Sequence, residues 1–218
     1  MIYTHIAYAP ANLGKKIGEA YNMFMEMLPS DEDWACFLDH DAMFTTSDWY
    51  HQLNNIIKDN PTLGAFGART NRLNSTYQLI GNIDVHNHNI SYHRKIGKHL
   101  QTNFSGDLFV IDKKTAQKGF SGVLILLKKS IWKKIKGFKT DGFNHVDNNF
   151  RYRLEKHNIP FHIMNGVYVY HWYKADDPYE RCHKKLKAIN ERYEKENKDN
   201  FDLNNIFLYN GTKGELPI

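Results

Sequence analysis

Two aspartates separated by one histidine follow a short apolar run, in the sequence WACFLDHDAMF at residues 34–44. In an extended backbone residues i and i+2 point the same way, so the carboxylates of Asp39 and Asp41 would face one site. Two bare carboxylates repel each other, and the pKa of one of them rises. A divalent cation removes that repulsion, and Mg²⁺ or Mn²⁺ suits oxygen ligands. The alternative is a solvated strand end at which one aspartate caps a turn.

Two further side chains could join such a site. Asp147 stands near the start of a predicted helix, where a carboxylate gains from the helix dipole and from free N–H groups. A plain helix cap is the competing interpretation of Asp147. His171 ends an apolar, aromatic stretch and could be either a hydrogen-bonded core histidine or a third metal ligand.

The apolar pattern predicts the elements that position these residues. Residues 2–8 have the composition of a strand, and the apolar residues from Ile17 to Leu28 fall on one helical stripe. Residues 34–38 are apolar throughout, which predicts a strand buried on both faces. Strand, helix and strand in this order form a βαβ unit. Because ligands of open α/β sheets bind beyond the carboxyl ends of the strands, Asp39 and Asp41 fall where a site is expected.

The remaining pattern is clear except in one stretch. It predicts a helix capped by Ser47, strands within 62–68, 106–112 and 119–127, a basic helix closed by Gly137, a helix over 148–158 and one bent strand or a strand pair over 161–173. Residues 69–101 are polar and rich in His and Asn, which predicts a long loop or a small excursion with short strands.

The histidine-rich part of that stretch, residues 84–99, lacks cysteines and the firm spacing of a zinc site. We therefore expect a solvated or acceptor-binding loop, with nearby cations forming a basic rim around the site. Those cations are Arg69, Arg72, Arg94, Lys95 and Lys98.

The composition bounds the partners and the location. The 218 residues carry a formal net charge of +5, which favours anionic partners but is also an ordinary aid to solubility. Two cysteines, Cys36 and Cys182, make no disulfide framework and favour a reducing, cytoplasmic setting. The first residues lack the pattern of a signal peptide, and the apolar run GVLILL is too short to cross a membrane, so no transmembrane segment is expected.

The order of these motifs resembles that of the GT-A glycosyltransferases, and among them the family 2-like enzymes. The matching features are Asp39-His40-Asp41 as the D-x-D, the segment FSGVLILLKKSIWKKIKGF, the segment VDNNFRYR that begins at Val146, and the later His171. The resemblance covers residues 1–173. It implies a Rossmann-like α/β fold with a mixed, mainly parallel sheet flanked by helices. It further implies a catalytic domain over residues 1–175 and a C-terminal helix and tail over residues 176–218.

The resemblance also implies roles for individual residues. In that family the D-x-D holds a divalent metal on the diphosphate of a nucleotide sugar, which implies Mn²⁺ or Mg²⁺ bound by Asp39, Asp41 and His171. Asp147 falls on the position of the catalytic base. Gly122 and Arg153 fall on donor-binding positions, as does Asp39.

This chain departs from the family pattern in two places. Val146 and Asn149 stand where the family carries acidic residues on either side of the base. The N-terminal half is also abbreviated, because the strand whose aspartate reads the nucleotide base is missing. The turn with Ala9, Pro10 and Asn12 is the natural substitute for that strand.

The sequence thus predicts a metal-dependent glycosyltransferase that moves a sugar from a nucleotide-diphosphate sugar to a hydroxyl, with inversion. The acceptor is either a glycan or a hydroxymethylated base in DNA. Two alternatives stay open: another divalent-metal enzyme acting on nucleotides, such as a nucleotidyltransferase, and a non-catalytic, basic module that binds nucleic acid.

Overall fold

The computed structural model describes residues 1–6, 16–111, 121–140, 146–173, 175, 183–197 and 201–209. The strands are β1 (Ile2–His5), β2 (Trp34–Leu38), β3 (Ala42–Phe44), β4 (Ala65–Thr70), β5 (Ile80–Gly81), β6 (Leu108–Ile111), β7 (Leu124–Lys128), β8 (Phe161–His171) and β9 (Phe207–Leu208). The α-helices are α1 (Ile17–Met27), α2 (Trp49–Asp59), α3 (Ile90–Phe104), α4 (Lys129–Lys134), α5 (Val146–Lys156) and α6 (His183–Glu196).

Seven of the described strands form one mixed sheet flanked by helices. Its order is β1-β2-β7-β4-β8-β3, and β6 pairs with the first half of β8 on the edge that β3 shares. The 11 residues of β8 are all buried. This strand pairs with β4 on one side and with β6 and β3 on the other. A separate ribbon of two strands pairs β5 with β9.

The expectation of a mainly parallel sheet was wrong. Among the described strands only β1 with β2 and β4 with β8 pair in parallel, whereas β7 separates β2 from β4 and is antiparallel to both. The strands β3 and β6 are also antiparallel to β8. An apolar run such as that of β7 predicts burial on both faces but carries no information about strand direction. It follows from these pairings that β1, β2, β4 and β8 still point the same way, so their carboxyl ends share one edge.

The strand β2 is buried on both faces, as its apolar run predicts. Trp34, Cys36 and Leu38 belong to the hydrophobic cluster under α2, α3 and α6. Ala35 and Phe37 belong to the second cluster, under α1 and α5. Because both faces are covered, β2 holds the residues that follow it in a fixed position.

Two of the helices, α2 and α3, differ from the sequence prediction. The stretch expected to be a loop contains α3, whose buried residues His93, Ile96, Gly97 and Leu100 form one helical stripe. Two of these four are polar or lack a side chain, so the apolar pattern does not reveal the helix. The side chain of Asn89 caps α3 by accepting from two backbone N–H groups. At α2 the N-cap is Asp48 rather than the expected Ser47.

The described C-terminal residues pack on the main body. Leu186 and Ile189 of α6 lie in the same hydrophobic cluster as β2 and α3, together with Ile206 and Tyr209. Arg69, which is fully buried, donates to the carbonyl oxygen of Tyr209 at 2.9 Å.

No helix among the described residues is long and apolar enough to span a bilayer.

Candidate functional site

Asp39 and Asp41 lie in the tight turn between β2 and β3. The N–H of Asp39 donates to the carbonyl of Val123 at 3.1 Å, and the N–H of Ala42 donates back to the carbonyl of Asp39 at 3.1 Å. The chain then forms β3, which the sequence analysis did not predict. Since β3 pairs with the last residues of β8, the turn is fixed against the end of that strand.

His171 is the last residue of β8 and reaches the two aspartates. Its partner in the register with β3 is Ala42, and the N–H of Trp172 donates to the carbonyl of Asp41 at 2.9 Å. The Nε2 atom of His171 lies 3.2 Å from Oδ1 of Asp41 and 3.8 Å from Oδ2 of Asp39. The sequence prediction that these three residues meet is therefore confirmed.

The imidazole of His171 is oriented by a contact on its other side. Its Nδ1 lies 3.0 Å from the carbonyl oxygen of Arg72, which can only accept a hydrogen bond. Nδ1 therefore carries a proton, and Nε2 faces the aspartates, where it donates to Asp41 when it is protonated and can bind a cation when it is not. A backbone carbonyl that fixes the tautomer in this way is typical of metal-binding histidines.

Asn71 holds the backbone of His171 in place. Its Oδ1 accepts from the N–H of His171 at 2.8 Å, and its Nδ2 donates to the carbonyl of the same residue at 3.1 Å. Asn71 and Arg72 follow β4, whose carboxyl end lies at the same edge as those of β2 and β8. Sequence analysis missed Asn71, and it expected Arg72 to act as a cation of the basic rim, whereas the backbone carbonyl of Arg72 contacts His171. The usable signal was a polar run directly after a buried strand.

Ligand atoms of Asp39, Asp41 and His171 all lie within 4.8 Å of one another. Ligands of one small divalent ion at about 2.1 Å are separated by roughly 3 to 4.2 Å, so small side-chain shifts bring these atoms onto one ion. The residues therefore fit a divalent cation. In the part of the chain that the structure describes, no second group of this kind occurs among the His, Cys, Asp and Glu side chains.

The two aspartates differ in their electrostatics. Burial raises the pKa of Asp39 to about 7 despite the attraction of His171, and the charges of Asp147 and Asp41 add to the increase. Burial also opposes the ionisation of Asp41, but the hydrogen bond and the charge of His171 outweigh it and bring its pKa below the ordinary value. Asp41 is thus an anion at neutral pH, whereas Asp39 needs a nearby positive charge to stay fully ionised.

Asp147 lies in the first turn of α5, and its carboxylate reaches the segment beside the cluster. Its Oδ2 accepts from the N–H of Gly122 at 2.8 Å. The next residue, Val123, accepts from the N–H of Asp39 through its carbonyl oxygen. A Cβ on Gly122 would lie 2.7 Å from Oδ1 of Asp147, so a glycine is needed for this approach. Burial raises the pKa of Asp147, and the hydrogen bond from Gly122 opposes this increase.

Arg153 has contacts that differ from the predicted ones. Its Nη1 donates to the carbonyl oxygens of Lys136 and Gly137 at 2.7 and 2.9 Å, and its Nε donates to Oδ1 of Asn149 at 2.7 Å. The guanidinium thus caps the carbonyl groups that follow α4. The predicted donor-binding residues Ala9, Pro10 and Asn12 lie outside the described residues.

Only the first part of the histidine-rich stretch, residues 84–89, forms the expected loop, because residues 90–99 belong to α3. His93 is buried in α3, where Nδ1 lies 2.8 Å from the hydroxyl of Tyr168. Arg69 and Arg72 are buried rather than at a rim, because their guanidinium groups bind backbone carbonyls. Polar residues here fill buried positions that apolar residues usually occupy. The polar composition therefore predicted exposure where the side chains are buried.

No protein-family model matches this sequence, and comparison with curated proteins gave no significant match.

Proposed function

We propose that the chain is a divalent-metal-dependent glycosyltransferase that uses a nucleotide-diphosphate sugar as donor. The observation that carries the proposal is the meeting of Asp39, Asp41 and His171, with Asp147 beside them, at one edge of the sheet. These four residues come from three separate segments, in the order that resembles the GT-A glycosyltransferases. Mn²⁺ or Mg²⁺ is the proposed cation, because two of the three ligands are carboxylates.

In the proposed reaction an acceptor hydroxyl attacks the anomeric carbon of the donor sugar. The new C–O bond forms as the bond from that carbon to the diphosphate breaks, and the electron pair leaves with the nucleoside diphosphate. Attack from the face opposite the leaving group inverts the anomeric configuration. When bound, the metal ion neutralises charge on the diphosphate and so makes it a better leaving group.

Asp147 is the proposed general base, because its carboxylate takes the proton that the acceptor hydroxyl loses. Its raised pKa makes it a stronger base than a solvated aspartate. The N–H of Gly122 holds the carboxylate in a fixed orientation. A base held in this way loses little entropy when the acceptor binds.

Gly122 and Arg153 have different contacts in the structure. Gly122 would shape the donor site by allowing Asp147 to approach, whereas the contacts of Arg153 favour a structural role for that residue. Recognition of the nucleotide by Ala9, Pro10 and Asn12, and a cytoplasmic location, stay predictions from the sequence.

The test is incubation with Mn²⁺ and a panel of UDP-, GDP-, CMP- and dTDP-sugars, with chromatography of the released nucleotide. We expect metal-dependent release of a nucleoside diphosphate from one of the diphosphate donors, and no release of CMP from the CMP-sugar. Asp41→Ala and Asp147→Ala should both abolish transfer, but only Asp41→Ala should weaken metal-dependent donor binding. Asp59→Ala, which removes an exposed aspartate of α2, is the matched control and should retain activity.

Two outcomes would contradict the proposal. Release of pyrophosphate from nucleoside triphosphates, without release from any nucleotide sugar, would indicate a nucleotidyltransferase. Full activity of Asp147→Ala would show that another group accepts the proton.

A further inference from the structure

A groove of about 640 Å³ lies between α3 and the loop that joins β3 to α2. One wall carries the cationic side chains of Arg94, Lys95 and Lys98 on α3. Hydroxyl groups face them from Thr46 and Ser47, and from Ser91 at the start of α3. Such a lining offers cationic and neutral hydrogen-bond donors to the same ligand.

The positive charge of α3 is not balanced within the helix. Its 15 residues include Arg94, Lys95 and Lys98 but no Asp or Glu. By contrast, α6 carries acidic residues that pair with its own cations, as between Lys187 and Glu191 at 3.8 Å. An exposed helix with interleaved charges is an ordinary solvated face. Asp48, near Lys98, is the acidic group that the described lining of the groove sets against the three cations of α3, so a net positive charge remains and favours an anionic partner.

The groove is fixed by packing on both sides. A Cβ on Gly97 would lie 2.1 Å from Oγ1 of Thr45, so α3 approaches the loop as closely as a glycine allows. The hydroxyl of Thr45 donates to the carbonyl of Tyr168 at 2.7 Å, which ties the loop to β8. Among the described residues that line the groove the one acidic side chain is that of Asp48, which accepts from the side-chain amide of Gln101 at 2.5 Å.

An exposed aromatic side chain lies beside the metal cluster and contacts a residue just before α3. Trp172, which is 41% exposed, directly follows the proposed ligand His171. Its ring packs against that of His88, with centroids 4.3 Å apart and the ring planes tilted by 39°. His88 lies three residues before Ser91, at the entrance to α3. The chain from Asp41 to Thr45 spans four residues, or about 13 Å when extended, so groove and cluster are neighbours.

We propose that this groove binds the phosphodiester backbone of a single-stranded nucleic acid, with an unpaired base stacked on Trp172. The acceptor hydroxyl would belong to the nucleotide that reaches the metal cluster, so this part of the inference rests on the proposed function. Arg, Lys, Ser, Thr and Gln side chains are the usual donors to phosphate oxygens. Stacking on aromatic rings combined with a basic groove is the common mode of single-strand binding.

A membrane surface is a poorer fit for the same charges. The basic wall faces a concave groove, whereas a helix that lies on a lipid surface combines its cations with a broad apolar face. The apolar face of α3 is turned inward, where Ile96 and Leu100 are fully buried. A concave basic groove therefore fits the phosphates of a nucleic-acid strand better than the flat headgroup layer of a bilayer.

The test measures binding of a fluorescent 12-nucleotide single-stranded DNA by anisotropy in EDTA, over a range of salt concentrations. With about 0.7 counterions released per contact in a single strand, Lys95→Gln/Lys98→Gln should reduce the slope of log K against log salt by about 1.4. Trp172→Ala should weaken binding about 5- to 150-fold, which corresponds to about 1 to 3 kcal/mol for one stacked base. The control Lys187→Gln/Lys195→Gln removes the same formal charge from α6 and should leave the slope unchanged.

These outcomes separate the inference from the proposed function. Binding of the oligonucleotide in EDTA needs neither metal nor donor. The groove inference can therefore be supported even if no nucleotide sugar is consumed. If donor turnover is found but the oligonucleotide does not bind, the groove inference fails and the proposed function does not. Equal changes of the salt slope in the α3 and α6 variants would also contradict the groove inference. So would tighter binding to phosphatidylglycerol vesicles than to the oligonucleotide, if only the α3 variant abolished that binding.

Discussion

Replacing Asp39 by Asn should stabilise the metal-free protein at pH 8 while abolishing metal binding. Burial raises the pKa of Asp39 from 3.8 to about 7, so at pH 8 the fold holds an ionised carboxylate that it disfavours. The shift is about three pK units, and each unit corresponds to about 1.4 kcal/mol, which gives roughly 4 kcal/mol. The new amide must find its own hydrogen bonds at a cost of about 1 kcal/mol, so a net gain of about 3 kcal/mol is expected.

The pH dependence has a definite sign. Since the folded-state pKa of Asp39 lies above its unfolded value, the protonated carboxyl contributes stability below pH 4 that is lost as the pH rises through 7. The gain from Asp39→Asn should therefore be largest at pH 8. At pH 5, where the folded protein holds most of this proton, the gain should fall below about 1 kcal/mol.

The assay is urea unfolding in EDTA at pH 5 and pH 8, followed by tryptophan fluorescence. Saturating Mn²⁺ should then stabilise the parent protein, by about 2.7 kcal/mol at 100 times its dissociation constant, but not the variant. Asp33→Asn is a control of opposite sign, because the hydrogen bond from the N-terminal amine lowers the pKa of Asp33. A loss of stability on Asp39→Asn at pH 8, or an equal gain at both pH values, would refute the reasoning.

Three further predictions concern the neighbours of the cluster. Gly122→Ala would displace the carboxylate of Asp147 and should lower transfer about 100-fold with Mn²⁺ affinity unchanged in calorimetry; a parallel loss of affinity would contradict this. Asn71→Ala removes both hydrogen bonds to the backbone of His171 and should weaken Mn²⁺ binding about 10- to 100-fold; unchanged affinity would rule out this positioning role. Arg153→Ala should lower the free energy of unfolding by about 1 to 3 kcal/mol in urea titrations with the donor KM unchanged, whereas a raised KM would support the donor-binding role instead.

The central part of the site was predictable from the sequence because its determinants are local. The apolar run of β2 dictates a strand buried on both faces, and the D-x-D follows it directly. The carboxyl end of such a strand is where ligands bind in an α/β sheet. Asp39 and Asp41 could therefore be placed without knowing any long-range contact.

The contacts that complete the site depend on pairings far apart in the chain. The strand β3 has three half-buried residues, too few for a periodic signal, yet its pairing with β8 brings Asp41 to His171. The role of Asn71 depends on hydrogen bonds to a residue 100 positions away. The direction of β7 also depends on its partners β2 and β4. An apolar run does not reveal it, because a strand buried on both faces can be parallel or antiparallel to its neighbours.

The stretch from Arg69 to Gln101 misled because its polar residues are satisfied inside the protein. Arg69 is fully buried and donates to backbone carbonyls and to Oδ1 of Asn165 at 2.9 Å. His93 fills a core position of α3. Composition predicts exposure for such residues, and only the tertiary hydrogen bonds reverse that expectation.

The central claim is that Asp39, Asp41 and His171 hold a divalent cation on which the donor diphosphate binds. Pulsed electron paramagnetic resonance of the protein with one equivalent of Mn²⁺ measures this directly. We predict nitrogen hyperfine coupling from one imidazole, its loss in His171→Gln, and phosphorus coupling once the matching nucleoside diphosphate is added. Nitrogen coupling that persists in His171→Gln, or bound Mn²⁺ that shows no phosphorus coupling with any nucleoside diphosphate, would contradict the account.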